Sequence, residues 1–159
     1  MTGGRAHLGA AMLAGAIAIA VNTGLLAGAD AAGLPTAHGG LLRLLQDVFA
    51  PALPIPSGTA IQLGFHVFVG LVMAIVYAVL LEAWLPGAPV LKGLMYAAVA
   101  WLMNVFVVLP LIGEGIAGGR HLDAAGIIGF AIAHTVFFVL LAVLYDAFVR
   151  RARARVRSA

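Results

Sequence analysis

Charged positions divide this chain into long apolar stretches. Between Arg5 and Asp30 lie 24 residues without Asp, Glu, Lys or Arg, between Lys92 and Glu114 lie 21, and between Asp123 and Asp146 lie 22. The stretch from Asp47 to Glu82 holds 34, but Pro51, Pro54, Pro56 and Gly58 break its first third. About 20 apolar residues in helical conformation cover a hydrocarbon core of roughly 30 Å. The pattern therefore predicts four spanning helices, over about 7–29, 59–83, 90–112 and 124–148. The expected fold class is an all-α membrane protein, its four transmembrane helices in an up-down-up-down bundle that forms one membrane domain over 1–159.

A different periodicity appears between the first two spans. Over about 36–50, Leu41, Leu42, Leu44, Leu45, Val48 and Phe49 fall on one side, with Arg43, Gln46 and Asp47 opposite and Pro51 as the stop. A segment of that length is too short to span. It is expected to lie in the outer interface as an amphipathic helix that caps the bundle or docks a membrane-complex partner.

Composition agrees with the pattern. Hydrophobic residues make up 64% of the chain and charged residues 9%, against about 45–50% and about 25% in soluble domains. That excludes a soluble domain and a disordered chain alike. With no cysteine, disulfides, thiolate metal sites, covalent haem attachment and cysteine nucleophiles are excluded together.

The nine basic residues set the orientation. With both termini cytoplasmic, the inner side holds Arg5, Lys92, Arg150, Arg151, Arg153, Arg155 and Arg157, and the outer side only Arg43 and Arg120. Seven to two is the direction of the positive-inside rule, and the expected location is the inner (plasma) membrane. The basic balance does not imply nucleic acid. Its charges crowd into 149–159, directly after the fourth span, where each arginine gains about 1 kcal/mol against anionic headgroups. Arg5, the apolar run and Ala27-Gly28-Ala29 also resemble a secretory signal. The run exceeds the usual ~7–15 residues, and cleavage would leave three helices, so residues 1–29 are expected to be retained.

Two spacings recur. His66 precedes Tyr77 by eleven residues, as His134 precedes Tyr145, and eleven residues is about three turns, which keeps each pair on one face. Ala11, Gly15, Ala18 and Asn22 match Gly93, Ala97, Ala100 and Asn104 in spacing. The expectation is an internal repeat of two helical hairpins related by an axis along the membrane normal. The small residues let helices approach closely in lipid, while Met73, Tyr77, Phe138, Leu141 and Tyr145 supply bulk opposite them.

From Leu44 to Asp146 the chain resembles a family of small four-helix integral membrane proteins of unknown function from bacteria and halophilic archaea. The resemblance rests on Gly64-Phe65, Leu81-Glu82 with Leu85-Pro86-Gly87, Lys92-Gly93-Leu94-Met95-Tyr96-Ala97, Ala100-Trp101 and Ala133-His134. It implies a fold and a membrane location and no activity.

The most informative chemistry is a polar layer inside the hydrocarbon. Asn22 lies eight residues before Asp30, His66 seven after Thr59, Asn104 ten before Glu114 and His134 eleven after Asp123. At ~1.5 Å per residue all four sit roughly 10–16 Å below the outer helix ends, and polar groups at such depth mark a site or an internal network. Three readings compete. The first is a hydrogen-bonded Asn–His–Asn–His ring that fixes register. The second is a haem b with His66 and His134 as axial ligands from diagonal helices, Gly70, Ala18 and Ala100 leaving room for the ring and Arg43 or Arg120 reaching its propionates. The third is a quinone pocket, or a proton or solute path, that uses Tyr77 and Tyr145. A divalent metal is disfavoured, because two histidines without a carboxylate leave the shell incomplete.

Other signals carry less. Gly113-Glu114-Gly115-Ile116-Ala117-Gly118 fits G-x-G-x-x-G but follows a membrane helix rather than a strand, and reads as a turn. His7, His38 and His121 fall at interfaces, and Glu82 and Asp146 are expected to meet Lys92 and Arg150. No catalytic set is evident. The expected function is a non-catalytic accessory or interaction subunit of a membrane assembly. The alternatives are a bis-histidine haem or quinone-binding electron-transfer subunit, and an oligomeric small transporter or proton path.

Overall fold

The computed structural model describes residues 2–34, 36, 39–49, 52 and 56–157. The described elements are helical, with no strand among the described residues. They are α1 (Thr2–Ala31), α2 (Gly40–Phe49), α3 (Thr59–Trp84), α4 (Pro89–Leu111), a single 3₁₀ turn (Ile116–Gly118) and α5 (Ala124–Arg157). Helices α1, α3, α4 and α5 are each long and apolar enough to cross a membrane.

Local chemistry sets the helix ends. Pro89 opens α4 at a first-turn position that needs no N–H, and Asp123 Oδ1 accepts the Gly126 N–H at 2.7 Å to cap α5. Gly39 takes φ +89°, a left-handed conformation, so α2 starts at Gly40 rather than near 36. Residues 37, 38 and 50 of the expected segment, with His38 and Pro51, lie outside the described residues. Two helices outrun their hydrophobic stretches: α1 begins at Thr2, and α5 continues through the basic tail to Arg157. Residues 149–157 contain alanine and arginine but neither glycine nor proline, so nothing in them stops a helix. Arg150 pairs with Asp146 one turn back, and Lys92 Nζ meets Glu82 Oε1 at 3.1 Å, as expected for both carboxylates.

Each of α3 and α4 contains one wider turn. In α3 it spans Tyr77–Leu81, and Glu82 N–H bonds five residues back to Tyr77 O. In α4 it spans Asn104–Val108, and Leu109 N–H reaches back to Asn104 O. Pro110 follows at once; it lacks an N–H and crowds the carbonyl four residues before it, which accounts for a local departure from α geometry there.

Helix α1 packs along α3 and α5, and α5 packs along α1 and α4. Small residues permit this. Ala11, Ala14 and Ala18 are fully buried, and a Cβ on Gly15 would come within 2.6 Å of Ala74 Cβ. On α4, a Cβ on Gly93 would come within 2.6 Å of Val139 Cα, so α4 and α5 touch at backbone distance. Tyr77, Phe138, Leu141 and Tyr145 fill the space around these faces. Helices α3 and α4 do not pack along one another. They meet near their connecting turn, where the Tyr96 hydroxyl donates to Met73 O at 3.3 Å and the Tyr77 and Tyr96 rings stack 6.2 Å apart.

The outward faces are apolar: Phe68, Val79, Val99 and Phe106 are each at least 60% exposed. Lipid rather than water suits such a surface. Inside, the core forms two apolar clusters. The larger runs from Ala10 to Val149 and includes Tyr77, Tyr96 and Phe138; the smaller joins Leu26, Leu109, Ile112, Phe130 and Ala133 beneath Leu44 of α2. The polar side chains occupy the break between them.

Candidate functional site

Asn22 is the one polar side chain counted in the buried core among the described residues, at 3% exposure. Its Nδ2 donates to Ala133 O of α5 at 2.8 Å, and its Oδ1 lies 2.9 Å from His66 Nε2 of α3. His134 instead turns to its own helix, Nδ1 donating to Phe130 O at 3.1 Å, with the two rings 4.3 Å apart. Asn104 does likewise, Nδ2 donating to Ala100 O at 3.0 Å. Of the four links of the Asn–His–Asn–His ring, these hydrogen bonds make one, Asn22 to His66. The two asparagines of the spacing repeat also have unlike partners.

The side chains that do not close on one another face a common space. Asn22, His66, Asn104 and His134 all line one cavity of about 360 Å³. Its floor is Met73, Tyr96 and Phe138, its far wall Phe130 and Phe137, and its roof the first turn of α2. Val99 and Met103 of α4 line the cavity and are still 60% and 52% exposed, on the side where α3 and α4 do not pack along one another. A mouth on that side opens onto the apolar perimeter. The volume falls in the range of small-molecule sites, about 300–1,000 Å³.

A second, more polar cavity of about 440 Å³ lies on the other side of α2, lined by Arg43, Gln46, Gln62, Glu114 and His121. Gly39, Gly40, Leu42 and Gln62 border both cavities, so the start of α2 is the partition. An ion pair holds that partition, Arg43 Nη1 to Glu114 Oε1 at 2.7 Å, and the second Glu114 oxygen takes His121 Nδ1. Arg120 Nη1 donates to Gly113 O at 3.1 Å. Arg43 and Arg120 are therefore both engaged away from the polar layer. The G-x-G-x-x-G run is a tight turn here, with Gly113, Gly115 and Gly118 at φ of 78–81°.

Gly70 borders the cavity, but its missing side chain leaves room for α1. A Cβ there would meet Ile19 Cδ1 at 2.6 Å. Ala18 is fully buried and does not border the cavity, whereas Ala100 does. Tyr77 and Tyr145 also stand apart from it. They sit edge-on at 5.6 Å, and Tyr145 Oη lies 2.9 Å from His7 Nδ1 near the chain start. His7 is thus partly buried, bonded to Tyr145 on one side and within 3.5 Å of Arg153 on the other.

Tyr96 is the site residue that sequence reasoning passed over. It stands eight residues before Asn104, about two turns, on the same face; that spacing was the available signal. Among the described residues no group of three or more His, Asp or Glu side chains gathers in a metal-binding arrangement. The chain matches no family model, no curated protein and no solved structure.

Proposed function

We propose that this chain is a non-catalytic accessory subunit of the inner membrane that holds a lipid-soluble small molecule between its four helices. One observation carries the reading: the four polar side chains of the layer border a single cavity with a mouth toward lipid, and two of them, Asn104 and His134, bond to their own helices rather than to another member of the layer. Polar groups in hydrocarbon are costly to keep without use. A ligand with a polar head and an apolar body matches a lining in which a few polar groups interrupt aromatic and aliphatic walls.

The arrangement in the membrane belongs to the same proposal. The helices alternate in direction in a four-helix bundle, both termini are cytoplasmic, and α2 lies in the outer interface. Contacts of α2 with the far end of α4, and of His7 with Tyr145 at the other end, support the alternation. Val48 and Phe49, exposed on α2, offer the surface for a membrane-complex partner. The hairpin repeat is retained as an account of the small-residue faces, since Gly15 meets α3 and Gly93 meets α5. The resemblance to small four-helix membrane proteins is consistent with this reading.

A test is direct. The chain is purified in mild detergent, denatured and extracted with solvent, and the extract is quantified by mass spectrometry. One ligand near one equivalent, lost in Met103→Trp at the mouth, is expected; bulk lipid alone in both samples contradicts the reading.

A second reading is favoured by one feature. Both histidines donate one ring N–H to a fixed acceptor, Asn22 Oδ1 and Phe130 O, the pattern that orients metal-ligating imidazoles. On that reading the cofactor is haem b, held by His66 and His134. A reduced-minus-oxidised spectrum with sharp bands, lost in His66→Ala and in His134→Ala, is its signature. A colourless folded protein from haem-replete cells removes it.

A further inference from the structure

The hydrogen bonds already made in the polar layer decide what it still offers a ligand. Ala133 O can only accept, so it takes the Asn22 amide hydrogen and leaves Asn22 Oδ1 as the acceptor from His66 Nε2. Phe130 O can only accept, so the neutral His134 ring carries its proton on Nδ1 and presents Nε2 as a lone pair. Asn104 spends one amide hydrogen on Ala100 O and keeps Oδ1 as an acceptor. These two acceptors come from different helices and border the same cavity.

The walls add a second constraint. Phe130, Phe137, Phe138 and Tyr96 line the space, with Tyr96 and Phe138 4.3 Å apart by centroid. Such a surface suits an aromatic ring presented by edge or face. The mouth between α3 and α4 leaves an apolar tail in the lipid. We propose that the ligand is a quinol: a hydroxylated aromatic ring on an apolar tail, one hydroxyl donating to His134 Nε2 and Asn104 Oδ1 accepting from the other. The proposal rests on the reading of this cavity as a ligand site and specifies its ligand class.

The reduced and oxidised forms of one ring separate the two claims. A quinone has the same shape but no hydroxyl donor, so it leaves the His134 lone pair without a partner. A site built around a donor rejects an analogue that lacks it. The full-length chain in detergent is titrated with a short-tailed benzoquinol kept reduced, with the corresponding benzoquinone, and with an aliphatic alcohol of matched tail length. Bound fractions are read by native mass spectrometry. Quinol binding about tenfold tighter than quinone is expected, with the preference lost in His134→Phe and in Asn104→Leu. In the unmutated chain, quinol is also expected to move the ¹⁵N resonance of His134 Nε2, which keeps the test independent of variant folding.

Equal or tighter binding of the quinone overturns the proposal. Equal binding of the alcohol also overturns it and assigns the site to a lipid alcohol. If all three bind alike and Met103→Trp abolishes their binding, the ligand-site reading stands and the quinol assignment falls. If none binds, both fall.

Discussion

Asn22 and His66 are joined at 2.9 Å across the α1–α3 contact, and the same asparagine holds Ala133 O of α5 at 2.8 Å. One amide thus ties three helices together at the depth where the two apolar clusters separate. Hydrogen bonds between membrane helices average about 0.6 kcal/mol. Replacing Asn22 by leucine removes two of them and leaves a buried carbonyl and an imidazole to find other partners. A loss of about 1–2 kcal/mol is expected, measured by unfolding in mixed micelles; no loss would mean that these bonds contribute nothing net.

Two glycines should behave in opposite ways. Gly93 faces Val139 backbone at 2.6 Å from an added Cβ, whereas an added Cβ at Gly24 meets nothing within 4 Å. Gly93→Ala should therefore lower stability by about 1–3 kcal/mol through forced separation of α4 and α5. Gly24→Ala should leave it unchanged or raise it. Equal effects at the two positions would contradict the packing of α4 on α5.

The Arg43–Glu114 pair is the contact that charge controls at the α2 partition. The arginine side chain is 56% exposed and the carboxylate 18%. An exposed pair of this kind is worth at most about 1 kcal/mol, so Glu114→Gln should barely move global stability. It should instead free the start of α2. In the cysteine-free chain, a cysteine at Leu42, buried here, should react with a water-soluble thiol reagent roughly two- to fivefold faster in the Glu114→Gln background. An unchanged rate would show that the ion pair does not hold the partition.

Much of the fold was legible in the sequence because lipid imposes a strong rule: charges leave the hydrocarbon, and the gaps between them count the helices. Helix ends in water carry no such mark, so the starts and stops at Thr2, Gly40 and Arg157 needed the structure. Counting residues from the helix ends singled out Asn22, His66, Asn104 and His134 together, and the four line one cavity. The partner of each side chain was not legible, because that depends on helix rotation. The wider turn beginning at Asn104 changes rotation in a way that hydropathy does not register. Gly70 shows the same limit from another side. A glycine leaves room on its own helix, but here the neighbouring Ile19 takes it.

Orientation is tested on the cysteine-free background. A cysteine placed at Ser158 should be labelled by an impermeant reagent only after the cytoplasmic side is opened, and one at Thr36 from the outside in intact cells. Labelling of Ser158→Cys in intact cells would invert the topology.

The central claim is that the space between α3 and α4 is a ligand site, and photolabelling addresses it without knowledge of the natural ligand. A benzoquinol kept reduced and carrying a diazirine on a short tail is photolysed with the reconstituted chain, and the adducts are mapped by peptide mass spectrometry. The account predicts adducts concentrated on cavity residues such as Val69, Met73, Val99 and Met103, reduced by excess unlabelled quinol and absent at that site in Met103→Trp. Adducts spread evenly over lipid-facing residues outside the cavity, such as Val79 and Ile132, with no competition, would contradict it.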